Sequence, residues 1–251
     1  MTTSHQREPE LLGQTVVVIG GSAGIGLETA RRARAEGADV ILAARSPERL
    51  QQAAAEVGAR STAAFDVTDL HALDQFFTGL PETIDHVMLT GPGPYYAPLA
   101  DLDRELAHRD FDAHLWLAVA IAQRAVGRVR PGGTLVFMGG TGGRSRGPGL
   151  SLIAAGTAAQ PALIANLAVE VAPIRVNLIA AGFVDTPLSA QLLGEDLEAR
   201  RAQLRATLPI RRVVGPEDIA ALALHLMTNT AVTGATYDID GGEQLISNSG
   251  T

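Results

Sequence analysis

At 251 residues the chain has the length of one large α/β domain, and with 46% hydrophobic and 19% charged residues it has ample core and no compositional case for disorder. Acidic side chains outnumber basic ones 27 to 20, and a net charge of −7 with 4% aromatics argues against nucleic acid and anionic membranes as partners. The absence of cysteine removes disulfides, thiolate catalysis and Cys-ligated metals together.

Residues 1–12 are read as a flexible tail with no apolar leader, which points to a cytoplasmic protein. Thr15–Gly20 (TVVVIG) is a continuous apolar, β-branched run, as expected of a strand buried on both faces. A helix over Gly24–Ala35 follows, ended by Gly37. Val40–Ala44 is the second strand, Pro47–Val57 the second helix, and Ser61–Phe65 the third strand, leading into Asp66-Val67-Thr68-Asp69. His86–Leu89 is the fourth strand, and the stretch Leu102–Val129 holds a long amphipathic helix.

Pro131-Gly132-Gly133 is a turn into the fifth strand, Thr134–Met138, and a Gly-rich loop spans 139–149. Leu150–Ala172 is long and apolar enough to suggest a membrane span. Gln160, Pro161, Asn166 and Glu170 would be costly in lipid, so it reads as a buried helix at a protein interface. Pro161 implies a kink, and Ser151 an N-cap. Arg175–Ala180 is the sixth strand, Ser189–Thr207 a mobile pair of helices, Pro216–Met227 the last helix and Thr236–Ile239 the last strand. Seven strands alternating with helices imply one domain, 13–246, with a doubly wound parallel sheet, and a second tail at 247–251.

Gly20-Gly21-Ser22-Ala23-Gly24-Ile25-Gly26 directly follows the first strand and opens the first helix. Glycines allow the tight turn and close backbone approach, and the helix N-terminus offers free N–H groups to a pyrophosphate. The spacing Gly20-x3-Gly24-x-Gly26 resembles the glycine motif of the short-chain dehydrogenase/reductase family, whose fold is a single-domain Rossmann fold. The likeness runs from about residue 13 to 246 through Asp66-Val67, Arg175-Val176-Asn177, Ala180 to Thr186 (AAGFVDT) and Gly234 to Gly242 (GATYDIDGG). It implies a nicotinamide dinucleotide held by Gly20, Ser22, Gly24, Ile25, Gly26, Arg45, Ser46, Asp66, Val67, Thr90, Gly91, Gly182, Val184 and Thr186. It also implies a homodimer or homotetramer, which the apolar 150–172 segment suits.

Ala44 stands where relatives that prefer NAD commonly carry an Asp, and Arg45 beside it can pair with a 2′-phosphate, so the expected cofactor is NADP(H). The plain alternative is a solvated arginine after a strand.

The family's chemistry uses a Tyr as acid/base, a Lys four residues on, a Ser and an Asn. Here Ile153 occupies the Tyr place, Thr157 the Lys place, Gly140 the Ser place and His114 the Asn place. No shift of register restores the pair, because no Lys occurs in the chain and no Tyr lies between 97 and 236. Tyr95 and Tyr96, after the fourth strand, and His114 are the candidate proton donors, each with an ordinary packing or hydrogen-bonding role as the alternative. Arg144 and Arg146 are candidates for an anionic substrate, or solvated loop residues. The six histidines show no metal-ligand spacing.

Three functions remain open. The first is an NADP(H)-dependent oxidoreductase with an atypical site, reducing a carbonyl or activated alkene of a small, partly apolar molecule. The second is a non-catalytic NADP(H)-binding sensor or partner subunit. The third is a non-redox isomerase or cyclase on the same fold.

Overall fold

Thr15–Ile19 (β1) is buried along its whole length because both faces of the sheet are covered. In the computed structural model, which describes residues 8–144 and 146–246, β1 pairs in parallel with Asp39–Ala44 (β2) and Ile84–Leu89 (β4). Ser61–Ala64 (β3) extends the sheet beyond β2. Val129–Gly140 (β5), Arg175–Ala181 (β6) and Thr236–Ile239 (β7) extend it beyond β4, giving the seven-stranded parallel order β3-β2-β1-β4-β5-β6-β7. The order reverses between β1 and β4, where such sheets open a cleft at their carboxyl ends.

Side-chain alternation divides the core in two. Val16 and Val18 meet Gly24–Ala35 (α1), Pro47–Val57 (α2) and Pro216–Thr228 (α9). Val17 and Ile19 meet Leu70–Gly79 (α3), Leu117–Ala125 (α5) and Ser151–Glu170 (α6). Each large apolar side chain so buried contributes about 1.5–3 kcal/mol.

Residues 70–85, unassigned from pattern, hold α3. Its Leu73, Phe76 and Phe77 face the core, and Asp69 caps it by accepting from the amides of His71 and Ala72. Leu11, inside the segment read as a tail, is fully buried, and its amide donates to the Glu36 carbonyl at 3.0 Å. Residues 1–7 and 247–251 lie outside the described residues.

Two expectations need larger correction. The long helix of 102–129 is Arg104–Phe111 (α4), a wide π-helical turn over Asp112–Trp116, and α5. Such turns open the i→i−4 ladder and frequently mark functional sites. The Pro131-Gly132-Gly133 turn lies inside β5 as an irregularity: the register with β4 jumps from Ile84↔Val129 to His86↔Thr134.

Helix α6 runs unbroken through Pro161. Its core-facing side chains recur at helical spacing, Ile153, Thr157, Gln160, Ile164 and Leu167, while Ala155, Ala158, Ala159, Ala162 and Val169 face outward. Its N-cap is Leu150, not Ser151, which is the first helical residue. The polar segment near 189–207 is two helices, Pro187–Leu193 (α7) and Leu197–Thr207 (α8). Leu204 of α8 is buried in the core.

Candidate active site

The chain leaves β1 at Ile19 and turns through 20–23 into α1. Gly20 has φ +90°, and a side chain there would run into the Thr90 hydroxyl. That hydroxyl lies 3.2 Å from both the Ile19 and Gly20 carbonyls, so Thr90 braces the loop from the end of β4. A Cβ on Gly26 would collide with the Gly20 carbonyl, so only glycine lets α1 start this close to the loop. The N-cap of α1 is Ala23, which makes no side-chain capping bond, and the first turn carries no acid. The helix therefore offers its leading N–H groups and positive dipole end to an external anion. Ser22 and Ile25 are half-buried on either side of Gly24. Thr186, the N-cap of α7, forms the opposite wall, its Cβ 3.4 Å from where a Gly24 Cβ would sit. A backbone cradle that side chains would fill fits the pyrophosphate of a dinucleotide.

At the end of β2, Arg45 is exposed and makes no hydrogen bond or ion pair among the described residues. Asp66 lies close enough to feel its charge. Burial pushes the Asp66 carboxyl up, but the Thr68 amide and hydroxyl, at 2.9 and 2.8 Å, together with Arg45, hold it below the ordinary value. Ser46 caps α2 by accepting from the Arg49 amide at 3.4 Å. Val67 packs against the α3 side of the core.

The other end of the cleft is built from three loops. Gly182 donates its amide to the Ile239 carbonyl, and a Cβ there would strike Asp240. Val184 is buried, bridges to Val214, and accepts the Ser189 hydroxyl at 2.5 Å. Leu188 lies against Gly93, which brings α7 beside the loop carrying Tyr95 and Tyr96. Helix α8 is strapped to the same end: Arg201 reaches Asp185 at 2.6 Å, and Arg200 pairs with Glu243 and stands 5.8 Å over the Phe183 ring.

Tyr95 and Tyr96 differ in environment. The Tyr95 hydroxyl accepts from the Asp103 amide at 3.0 Å and so braces the start of α4. Tyr96 is half-exposed, and burial of part of its ring with the nearby Asp110 charge pushes its phenol up, so it stays protonated. His114 sits in the π-helical turn. Its Nδ1 is 2.8 Å from the Asp110 carbonyl and 3.3 Å from the Asp110 carboxylate. Burial pulls this imidazole down, but the Asp110 side chain and backbone, its charge, and the Pro92 carbonyl outweigh burial and raise it above the ordinary 6.5.

Behind His114 lies a cavity of about 10 Å³, the size of one water, lined by Leu89, Gly91, His114, Met138 and Gln160 among others. Gln160 Nε2 donates to the His114 carbonyl at 3.2 Å, while its Oε1 is buried without a partner among the described residues. Thr157 turns its hydroxyl back into α6, donating to the Ile153 carbonyl at 2.7 Å. Arg144 is engaged by Asp238 at 2.5 Å and by Gln244, so it is not free to hold a substrate anion, and Arg146 donates to the Arg144 carbonyl at 3.2 Å.

Asp110 and Gln160 escape the sequence reading. Their signals are present in hindsight: Asp110 stands one helical turn before His114, and Gln160 is a lone amide on an apolar helix face.

The family described as enoyl-(acyl carrier protein) reductase matches residues 20–244. The chain is 30% identical over 246 residues to oxidoreductase asL5 of Sarocladium schorii, spanning 92% of this chain and 96% of that one. Among solved structures, the MalC reductase/Diels-Alderase from Malbranchea aurantiaca superposes with a TM-score of 0.87 at 25% identity, covering 95% of this chain and 99% of that one. An actinorhodin polyketide ketoreductase variant with NADPH gives 0.83 at 25% identity over 91% and 96%. With the phosphate cradle, the sheet order and these likenesses spanning nearly the whole chain, the protein belongs to the short-chain dehydrogenase/reductase family of oxidoreductases, which bind a nicotinamide cofactor.

Proposed function

We propose that the chain is an NADP(H)-dependent reductase with an atypical active site, acting on a carbonyl or activated alkene of a small, partly apolar molecule. The observation that carries this reading is the buried Asp110–His114 pair, whose imidazole lines a cavity with Gly91 of the loop after β4. A reduced nicotinamide, when bound, supplies the hydride. The chain's own part is the proton. Ile153 has none to give and the Thr157 hydroxyl is turned into its helix, whereas His114 and the protonated Tyr96 can each donate.

Arg45 supports the choice of NADP(H), because a guanidinium at the end of β2 without a partner among the described residues suits a 2′-phosphate. The exposed Tyr96, Leu188 and Leu192 give the mouth an apolar rim, which suits the substrate class. The outward alanines and Val169 of α6 support pairing with a second copy, and a cytoplasmic location remains our reading.

A second reading is favoured by one observation: a relative of this chain is described as a reductase/Diels-Alderase. A cyclisation needs no proton donor, so the Ile153 and Thr157 pair is no handicap to it. Calorimetric titration with NADPH and NADH, followed by absorbance at the nicotinamide band over a panel of carbonyl and enone substrates, separates the readings. Tight NADPH binding with oxidation supports the reductase. Substrate loss without an absorbance change supports the cyclase, and binding without either supports the sensor. Absence of heat with both nucleotides removes all three.

A further inference from the structure

Asp110 lies in the last turn of α4 with its side chain only 7% exposed, and two groups converge on it. Its Oδ1 accepts the Tyr95 amide at 2.9 Å, which anchors the Tyr95–Tyr96 loop. The same oxygen lies 3.3 Å from His114 Nδ1, and the Asp110 carbonyl lies 2.8 Å from that nitrogen. A carbonyl can only accept, so Nδ1 bears a hydrogen. The Pro92 carbonyl, from the same loop as Tyr95, is an acceptor too. From α6 the nearest polar side chain is the neutral Gln160, bonded to the His114 carbonyl. From β4 and β5 the cavity wall is apolar, Leu89, Phe137 and Met138. Asp110 is the charged group that acts on the ring, Tyr96 feels the same carboxylate, and no cation acts on the ring among the described residues. Acceptors alone surround the imidazole, and they favour its doubly protonated form.

We propose that Asp110 is a positioning residue: it grips His114 through Nδ1 and the tyrosine loop through its backbone, and so fixes the orientation of one imidazole beside Gly91 in a chain that contains no lysine. The inference rests on the reductase reading, in which His114 donates the proton, and it adds what sets the charge and orientation of that donor. A buried carboxylate that merely ties a loop would leave the imidazole indifferent to its charge. Asp110→Asn separates the two, because the amide oxygen can still accept the Tyr95 amide while the negative charge is gone.

The test is an NMR titration of the His114 ring, assigned with His114→Gln, in the whole chain and in Asp110→Asn. The wild-type ring should titrate above about 6.5, and its proton affinity should fall about tenfold in Asp110→Asn. NADPH oxidation, which needs the protonated ring, should decline as pH rises through the His114 titration, and in Asp110→Asn that decline should begin at lower pH. An unchanged His114 titration in Asp110→Asn overturns the inference. If Asp110→Asn does not fold, a wild-type ring titrating at or below 6.5 overturns it as well. If the titration shifts but His114→Gln keeps full turnover with an unaltered pH profile, the grip of Asp110 stands and the donor role of His114 falls.

Discussion

The Thr157 hydroxyl donates to the carbonyl of Ile153, 2.7 Å away, and lies 3.3 Å from that of Ala154. The two residues that our reading sets at the family's acid/base positions are thereby joined to each other within the helix. Thr157→Val should therefore leave cofactor affinity and turnover within about twofold and alter stability by less than about 1 kcal/mol, since it removes only a back-bond within the helix. A tenfold loss of turnover would mean that the hydroxyl works in the cleft.

The proposed function gives Arg45 the 2′-phosphate. Arg45→Glu should weaken NADPH binding by roughly ten- to a hundredfold and leave NADH binding nearly unchanged, since a carboxylate repels a 2′-phosphate and accepts from a 2′-hydroxyl. The NADPH affinity of the unmodified protein should also fall with added salt, because Arg45 is exposed. Calorimetry at two ionic strengths checks both, and equal losses for the two nucleotides would argue against the assignment.

Gly20→Ala places a side chain at φ +90° against Thr90 and should cost about 1–3 kcal/mol in thermal unfolding, with loss of nucleotide binding. Gly13, with φ +73° and open space around it, is the control: Gly13→Ala carries the same backbone cost but should bind nucleotide normally.

His86 makes the fold sensitive to acid. It is buried in β4, its Nε2 2.7 Å from the Gln14 side-chain oxygen. Burial, helped by smaller effects of Arg130 and Arg175, overcomes the opposing charge of Asp85 and pushes it down to about 3. The unfolded chain takes up the proton first, so this stabilisation is complete above about pH 6.5 and is lost as pH falls towards 3. A few kcal/mol are at stake over that range. Denaturant melts from pH 7 to 4 should show the decline, and His86→Gln should flatten it. A parallel decline in both proteins would assign acid sensitivity elsewhere.

Gly139 and Gln160 should couple. A Cβ on Gly139 would strike Gln160 Oε1. Gly139→Ala should destabilise by about 1–3 kcal/mol, and much of that should be recovered in combination with Gln160→Ala. Additive losses would show that the amide is not the obstacle.

The strands were legible because their apolar runs are continuous and bounded by glycine or proline, and β7 was read to the residue. The glycine turn between β1 and α1 was legible because glycine spacing, strand and helix coincide. The π-helical turn was not: Phe111-Asp112-Ala113-His114 has the same periodicity as a regular helix, and the wide turn shows only in the backbone. The role of Asp110 was hidden for a related reason. Its partner Tyr95 is 15 residues away and meets it only when the loop after β4 folds back on α4. Arg144 looked available because its partner Asp238 is 94 residues further along the chain.

The ion pairs of α8 bind that helix to the segment following β6, through Asp185, and to Glu243 beyond β7. Glu243 in turn lies 3.4 Å from the Phe183 amide. Charge thus ties α8 to two stretches of chain far apart in sequence, so its anchorage should loosen as added salt screens these partly exposed pairs.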